Sequence, residues 1–306
     1  ELTLHYGLVP RTNRGIFAIN ELPDLSERIQ VGLLNILEER DVQVRGYKIR
    51  LPIDVLLVAS ANPEDYTNRG RIITPLKDRF GSQIRTHYPL EATTEVQIIR
   101  QEARPPSVGD VKVSVPPYME LVVATFSQLA RNSSQVNQRS GVSVRLSVSN
   151  YEVMAANALR RGLRLGETNV VPRVCDLDAF AASTGGKIEI EALEEGREGQ
   201  VLRDLIKASV LTVYREVVSP ELTGAVLTAF EEGAIVHTGE DVPSEEQAML
   251  IGDIPSLRPI VDALIAGDDS AASVAAAVEF ILEGMHLSKR LNKDTSGLGG
   301  GTYRAR

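Results

Sequence analysis

Two short apolar runs, joined by a helical segment, constrain the fold of this chain more than any other feature. Residues 16–19 read Ile-Phe-Ala-Ile, and residues 55–60 read Val-Leu-Leu-Val-Ala-Ser. Continuous apolar runs of this length are typical of strands that are buried on both faces of a parallel sheet. Between them, apolar side chains recur at helical spacing and predict a helix over about residues 26–39. The order strand, helix, strand predicts an α/β sheet.

A β-hairpin is predicted over residues 41–51, between the helix and the second strand. Apolar and polar residues alternate on both sides of Arg45-Gly46, and a glycine favours the tight turn that joins two hairpin strands. Pro105-Pro106 then opens a linker. We therefore predict that residues 1–105 form one α/β domain.

Beyond this domain the patterns are mostly helical. Residues 106–165 are predicted to form a small helical lid, and residues 166–306 a mostly helical extension. Within the extension, residues 187–191 alternate like a short strand, and the glycine-rich tail from residue 297 onward is predicted to be disordered. Helices are predicted at about residues 91–104, 118–131, 149–164, 200–217, 221–232, 245–266 and 274–285.

Composition excludes several classes of protein. Hydrophobic residues make up 43% of the chain without any run of about 18 apolar residues, so we predict a globular protein with no membrane span. The single cysteine, Cys175, rules out an internal disulfide and fits a buried thiol in a reducing, cytoplasmic setting. Four scattered histidines without a Cys/His cluster argue against a zinc site. The net charge of −8 argues against a general nucleic-acid-binding surface.

Polar residues follow both predicted strands. Asn20-Glu21 ends the first strand, and Asn62 follows the second about 40 residues later, a spacing that suits adjacent parallel strands joined by a helix. Ligands bind at the carboxyl edge of open α/β sheets, so we predict that these three side chains share a binding site. Both segments also suit ordinary turns, which is the alternative interpretation.

Two arginines complete the candidate site. Arg79 lies one residue before an aromatic in Leu-Lys-Asp-Arg-Phe-Gly, and a guanidinium supplied across a subunit boundary stabilises charge on a transferring phosphate. Arg145 lies at the start of a predicted helix, a position from which an arginine can reach a γ-phosphate. The alternatives are a surface ion pair with Asp78 for Arg79 and a solvated side chain for Arg145.

In this order, these features resemble the AAA+ ATPases, most closely the ATPase subunit of magnesium chelatase and the related MoxR and MCM groups. The resemblance is specific over about residues 1–165. It implies the C-terminal part of an AAA+ α/β domain followed by a helical lid and a helical extension. It also implies that the hairpin at residues 41–51 is the pre-sensor-1 hairpin, which faces the pore of a ring. The matching segments are residues 15–22, 33–40, 60–63, 76–81 and 142–147.

The resemblance implies a role for each candidate residue. Glu21 corresponds to the Walker B catalytic glutamate that activates the attacking water, and Asn20 to the neighbouring position associated with Mg²⁺. Asn62 corresponds to sensor 1 and Arg79 to the arginine finger. Arg145 corresponds to sensor 2, which reports the state of the bound nucleotide.

Two departures from the family pattern stand out. No Gly-x-x-x-x-Gly-Lys-Ser/Thr string occurs in the 306 residues, and the string nearest to it, at residues 183–188, lacks the first glycine and the final hydroxyl. The family places this phosphate-binding loop upstream of the Walker B strand, so we expect it before Glu1, which we interpret as a cut. Asn20 also removes a negative charge from the metal position, and neutral hydrogen bonds are roughly half as strong as charge-assisted ones.

The resemblance implies a motor subunit that uses ATP and Mg²⁺, assembles as a ring, expected to be a hexamer, and remodels or activates a partner protein. In the chelatase family that partner carries an integrin-like metal-binding domain. Without a phosphate-binding loop, the chain by itself is expected to be inactive, and the alternative is a non-catalytic ring or partner-interaction module. A third hypothesis is nucleic-acid remodelling through Arg45, Lys48 and Arg50 of the hairpin, which the net charge disfavours.

Overall fold

The computed structural model describes residues 5–43, 50–62, 70–137, 141–189, 197–296 and 300–306. The chain forms two compact units, Glu1–His87 and Tyr88–Arg306. The sequence predicts a first boundary at residue 105 instead, and a second at residue 165. Helices from the predicted lid and the predicted extension share one hydrophobic core in the second unit, and the three-domain division stays a prediction.

The first unit is built around two parallel strands, β1 (Ile16–Ile19) and β4 (Leu56–Ala59), with Ile16 opposite Leu56. Both strands confirm the sequence prediction. The predicted hairpin is present as β2 (Asp41–Gln43) paired antiparallel with β3 (Arg50–Pro52), while its turn, residues 44–49, lies outside the described residues. The helices are α1 (Leu8–Arg11), α2 (Glu27–Glu38) and α3 (Thr74–Lys77), with a 3-10 turn at Leu22–Asp24.

One face of the β1–β4 pair packs on a small core. Its buried members are Leu22, Leu33, Ile72 and Leu76, and alternate strand residues such as Ile19 and Leu57 pack against them. Gln30 of α2 is also buried. Its amide donates to the carbonyls of Leu25 (2.8 Å) and Arg71 (3.2 Å), and its oxygen accepts from the Ile73 amide (2.9 Å). This glutamine therefore fixes α2 to the segment that leads into α3.

The opposite face of the same strands is uncovered, and here the prediction of strands buried on both faces is wrong. Ile16, Leu56 and Val58 are 65%, 61% and 48% exposed. A strand pair has two faces, and α2 and α3 lie together with the buried cluster on one of them. Within the described residues of the first unit, no helix covers the other face.

The second unit is mainly helical. Phe280 of its last helix stacks at 4.7 Å on Tyr118 and lies 6.2 Å from Tyr214, so three helices meet at aromatic contacts. A Cβ on Gly284 would lie 2.0 Å from the Tyr214 ring, so only glycine permits this approach. The helices are α4 (Ala92–Glu102), α5 (Pro117–Asn132), α6 (Val144–Leu165), α7 (Phe180–Thr184), α8 (Glu198–Val217), α9 (Thr223–Glu231), α10 (Ser244–Asp253), α11 (Arg258–Ile265) and α12 (Ala271–Leu287).

Three predictions for this unit need correction. The helix predicted over residues 245–266 is broken into α10 and α11 by a 3-10 turn at Pro255–Leu257, because proline has no amide hydrogen to continue the helix. In place of a strand at 187–191, Ile188 forms a single bridge to Gly185, and residues 190 and 191 lie outside the described part. The helix predicted from residue 149 begins five residues earlier, at Val144.

The prediction of a disordered tail from residue 297 onward also needs correction, because residues 300–304 form a strand. β9 (Gly300–Arg304) lies between β7 (Val236–Thr238) and β8 (Asn292–Ser296), antiparallel to both. Tyr303 is fully buried, and its hydroxyl donates to Glu283 at 2.5 Å. Two short strands, β5 (Lys112–Val113) and β6 (Asn169–Val170), pair in parallel elsewhere in the unit. None of the helices in the described part of the chain combines the length and hydropathy needed to span a bilayer.

Candidate functional site

The ends of β1 and β4 lie side by side and bring polar residues together. The Ser60 amide donates to the Ile19 carbonyl at 2.9 Å, and the Leu22 amide donates to the Ser60 carbonyl at 2.9 Å. These bonds continue the parallel pairing beyond the strands. Asn20, Glu21 and Ser60 therefore meet at the carboxyl edge of the pair, and Asn62, which is exposed, follows two residues after Ser60.

Ser60 connects the two strand ends through its side chain as well. Its hydroxyl donates to the Asn20 amide oxygen at 2.5 Å and accepts from the Glu21 backbone amide at 3.2 Å. Ser60 lies in the segment at residues 60–63 that matches the family pattern, but the sequence alone predicts no role for it. Its position directly after the second apolar run predicts that it lies at the same edge as Asn20, but does not predict the contacts of its hydroxyl.

Glu21 has an unusual backbone conformation. Its φ of 54° and ψ of 53° lie in the left-handed region, which non-glycine residues adopt only rarely. The Glu21 carbonyl accepts from the Asp24 amide at 2.9 Å, so the chain turns sharply into the 3-10 turn that follows. Conformations of this kind cost of order 1–3 kcal/mol and cluster at functional sites. The side chain of Glu21 is exposed.

Arg79 is held by a helix of its own unit. Its Nη2 and Nε lie 2.7 and 2.9 Å from Oε2 of Glu38 on α2, and its Nη1 donates to the Pro75 carbonyl at 2.9 Å. The ion pair that sequence reasoning offered as an alternative, with Asp78, is thus replaced by one with Glu38. A guanidinium has five N–H donors, so two of them are not used by these three contacts.

Arg145 belongs to the second unit, whereas the other four candidates belong to the first. It lies in the first turn of α6 and is exposed, and its amide donates to the Ser143 hydroxyl at 3.2 Å, which caps the helix. Its proposed contact with nucleotide stays a prediction.

A buried ion pair lies beneath the turn that carries Arg145. Arg131 of α5 donates to both carboxylate oxygens of the fully buried Glu95 at 2.6 and 2.7 Å. The same guanidinium donates to the Val142 carbonyl at 2.9 Å, and Ser147 of α6 donates to Glu95. The pair therefore joins α4 and α5 to both sides of the first turn of α6.

The hairpin gives little support to nucleic-acid contacts. Arg45 and Lys48 lie outside the described residues. Arg50 is ion-paired across the hairpin with Asp41 at 3.4 Å. The described part of the chain also contains no group of three or more His, Cys, Asp or Glu side chains that could hold a metal ion.

Cys175 is buried, as predicted, and lies in a polar interior. Its amide donates to Oε1 of the buried Glu279 at 2.7 Å. Burial raises the pKa of the thiol well above its usual value, and the nearby Glu279 and Asp176 carboxylates add to that rise. The thiol therefore stays protonated and unreactive at neutral pH.

Comparison with known proteins gives one family match and several similar proteins, each over a third of the chain or less. Residues 3–79 match the model of the sigma-54 interaction domain family. The magnesium-chelatase 38 kDa subunit of Cereibacter sphaeroides is 36% identical over 95 residues, 30% of this chain and 27% of that protein. The magnesium-chelatase subunit ChlI of Anabaena variabilis is 33% identical over 99 residues, 32% of this chain and 25% of that protein.

A transcriptional regulator is similar over a stretch of comparable length. The hydrogenase transcriptional regulatory protein HoxA of Cupriavidus necator is 30% identical over 117 residues, 33% of this chain and 23% of that protein. The chain thus spans about a quarter of the length of these relatives. The matches support the AAA+ ATPase family, with magnesium-chelatase subunits among the similar proteins. The MoxR-like part of the resemblance stays a prediction.

Proposed function

We propose that this chain carries part of the nucleotide site of an AAA+ ATPase of the magnesium-chelatase type. The observation that carries the proposal is the pair of adjacent strand ends, where Asn20-Glu21 and the segment from Ser60 to Asn62 meet at a carboxyl edge. That edge is where open α/β sheets bind ligands. The start of β1 and the end of β4 both lie within residues 3–79, which match the sigma-54 interaction domain family.

Each candidate has a role in this proposal that suits its chemistry. The exposed Glu21 carboxylate accepts a proton from the attacking water, and the Asn62 amide orients that water. Arg79 is supplied to the nucleotide of a neighbouring subunit, where its positive charge stabilises the transferring phosphate. Arg145 contacts the γ-phosphate and couples nucleotide state to the second unit.

The residues at the edge fit Mg²⁺ that is held mainly by nucleotide. Magnesium ions in such sites use one or two carboxylates together with substrate phosphates and water. Glu21 supplies one carboxylate, and Asn20 supplies an amide. When bound, Mg²⁺ would neutralise charge on the phosphates of ATP.

Because the proposed arginine finger, Arg79, acts on the nucleotide of a neighbouring subunit, this proposal requires assembly of several copies. We propose that copies of the protein form a ring, expected to be a hexamer, which remodels or activates a partner protein. A partner with an integrin-like metal-binding domain, and a cytoplasmic location, remain part of this proposal.

A non-catalytic interaction module is the second candidate. The 306 residues contain no phosphate-binding loop. Arg79 is already paired with Glu38 of its own chain. A chain with these properties can complete a ring or bind a partner without hydrolysing ATP.

ATP turnover separates the two candidates. It should be measured for this chain and for the native polypeptide with the residues upstream of Glu1, where the gene encodes them. We expect Glu21→Gln to abolish turnover while binding of a fluorescent ATP analogue is kept, because the amide cannot accept a proton from water. Asp24→Asn, at an exposed acid in the same turn, should change neither. If no form of the wild-type protein turns over ATP, the motor proposal is wrong and the interaction module stands.

A further inference from the structure

Ser60 is bonded to the end of β1 through every polar atom it has. Its amide donates to Ile19, its carbonyl accepts from Leu22, and its hydroxyl contacts both Asn20 and Glu21. The backbone bonds would form with any residue except proline. The hydroxyl bonds require serine or threonine, so they are the part of this arrangement that the side chain determines.

The hydroxyl bonds form a directed chain. The Glu21 amide donates to the Ser60 oxygen at 3.2 Å, and the Ser60 hydroxyl donates onward to the Asn20 oxygen at 2.5 Å. Each hydrogen bond in such a chain polarises the next, so each of the two bonds is stronger than it would be without the other. The chain begins at the residue with the left-handed backbone, whose strain it helps to offset.

We propose that Ser60 is a positioning residue for Glu21. Its hydroxyl holds the Glu21 backbone in the left-handed turn and thereby sets where the carboxylate lies relative to the end of β4, which leads to Asn62. The inference rests on the proposed ATPase function, because it gives Glu21 the water-activating role. It also changes the role of Asn20, whose amide oxygen is the acceptor that orients the Ser60 hydroxyl.

Hydrogen exchange tests the positioning in the chain as it stands. Removing one hydrogen bond of this kind costs about 1 kcal/mol, so Ser60→Ala should speed exchange of the Glu21 amide by about fivefold to tenfold. Ser60→Thr keeps the hydroxyl and should restore protection. Ser26→Ala is the matched control, because Ser26 is an exposed serine of the same unit whose side chain makes no capping hydrogen bond to α2. Unchanged exchange at Glu21 in Ser60→Ala would overturn the proposal.

Kinetics separate positioning from a merely structural role. In the ATP-hydrolysing form, Ser60→Ala should lower kcat by about 10- to 100-fold, because small misplacements of a reacting group cost up to this much. The KM for ATP should stay within about twofold, and Ser60→Thr should restore kcat. If Glu21→Gln abolishes turnover but Ser60→Ala leaves kcat unchanged, Ser60 does not position Glu21 although the proposed function holds.

Failure of the proposed ATPase function and failure of the positioning role of Ser60 can be told apart even when the protein does not hydrolyse ATP. A wild-type protein that never hydrolyses ATP refutes the proposed function, and with it the kinetic part, while the exchange measurement still decides whether Ser60 orders the Glu21 turn. Should Ser60→Ala not fold, Ser60→Cys takes its place with the same expectations, because a thiol of similar size donates only weakly.

Discussion

Glu21 and Arg79 are the residues on which the proposed chemistry depends, and they are held in different ways. Glu21 is ordered through its backbone, which leaves its carboxylate exposed to solvent. Arg79 is ordered through its guanidinium, which is committed to Glu38 and Pro75. An arginine that acts in trans must exchange or share these contacts when a neighbouring subunit presents a phosphate.

Replacement of Arg79 tests its action across a subunit boundary. We expect Arg79→Ala to lose ATP hydrolysis with nucleotide binding kept, because the mutation removes the charge supplied to the neighbour and leaves Asn20, Glu21 and Asn62 in place. Mixing it with Glu21→Gln subunits should restore part of the activity, since an interface at which the Arg79→Ala subunit supplies Glu21 and its Glu21→Gln neighbour supplies Arg79 has both residues intact. Turnover of mixtures at varied ratios measures this.

Arg28→Ala, at another exposed arginine of the first unit, is the control for that experiment and should behave like wild type. The Arg79–Glu38 pair is partly exposed, so its loss should lower the free energy of unfolding by less than about 1 kcal/mol. If mixtures of the two variants are no more active than either alone, Arg79 does not act in trans.

At the scale of elements, the start of α6 is fixed by one buried ion pair. Glu95 is fully buried and Arg131 is nearly so, and together they contact Val142 before the helix and Ser147 within it. A buried carboxylate that loses its cation is left without compensation for its lost hydration. The first turn of α6, with Arg145 in it, therefore depends on two residues of other helices.

Removal of the cation should destabilise the second unit strongly. We expect Arg131→Met to lower the free energy of unfolding by about 3–5 kcal/mol, because it leaves Glu95 buried and unpaired. Arg258→Ala removes exposed ion pairs with Asp262 and Asp269 and should cost less than about 1 kcal/mol. Urea denaturation of both variants provides the measurement. Equal losses in the two would show that the buried pair contributes no more than a surface pair.

Elements with strong periodicity could be predicted from the sequence, and elements defined by distant contacts could not. The helix predicted over residues 26–39 is α2, and the last predicted helix is α12, because an apolar stripe is a local property. β9 was missed because glycine-rich composition suggests disorder, whereas its order comes from pairing with β7 and β8. Local pattern also cannot report which strand face is covered.

For the candidate site too, positions that depend on local sequence could be predicted, and contacts between distant residues could not. Asn20 and Glu21 were placed at a strand end correctly, because apolar runs mark strands and polar residues end them. The pairing of Arg79 with Glu38, 41 positions apart, and the contacts of Ser60 with Asn20 depend on how the chain folds back. Sequence spacing alone carries no information on such pairs.

At the scale of the whole molecule, hydrogen bonds join the β8–β9 hairpin to a buried carboxylate in the interior of the second unit. The buried Glu283 of α12 accepts from Lys293 of β8 at 2.8 Å and from Tyr303 of β9 at 2.5 Å. Burial by itself raises the pKa of Glu283, but the Lys293 ammonium and the Tyr303 hydroxyl outweigh burial and lower that pKa below its ordinary value of 4.5. One ionised carboxylate thus binds both strands of the terminal hairpin.

The lowered pKa of Glu283 predicts that its contacts with the β8–β9 hairpin weaken in acid. A carboxylate with a lower pKa in the folded than in the unfolded state contributes stability that is present above the unfolded pKa and lost as the pH falls through the folded one. We therefore expect wild-type stability to fall as the pH drops below about 4.5. Glu283→Gln should be less stable at neutral pH and should lose part of that dependence.

Thermal unfolding across this pH range, with Glu231→Gln as an exposed control, measures the effect. The control should keep the wild-type pH profile. A Glu283→Gln protein with the same profile as wild type would show that another group is responsible for the acid sensitivity.

The exposed face of the β1–β4 pair affects how the protein binds apolar dyes and adsorbs to surfaces. Three large aliphatic side chains, Ile16, Leu56 and Val58, lie together on this exposed face. Surfaces of this kind bind fluorescent apolar dyes and adsorb to plastic and to one another as concentration rises. Dye fluorescence in a folded sample would therefore report this patch rather than unfolding, so melting curves should be followed by circular dichroism.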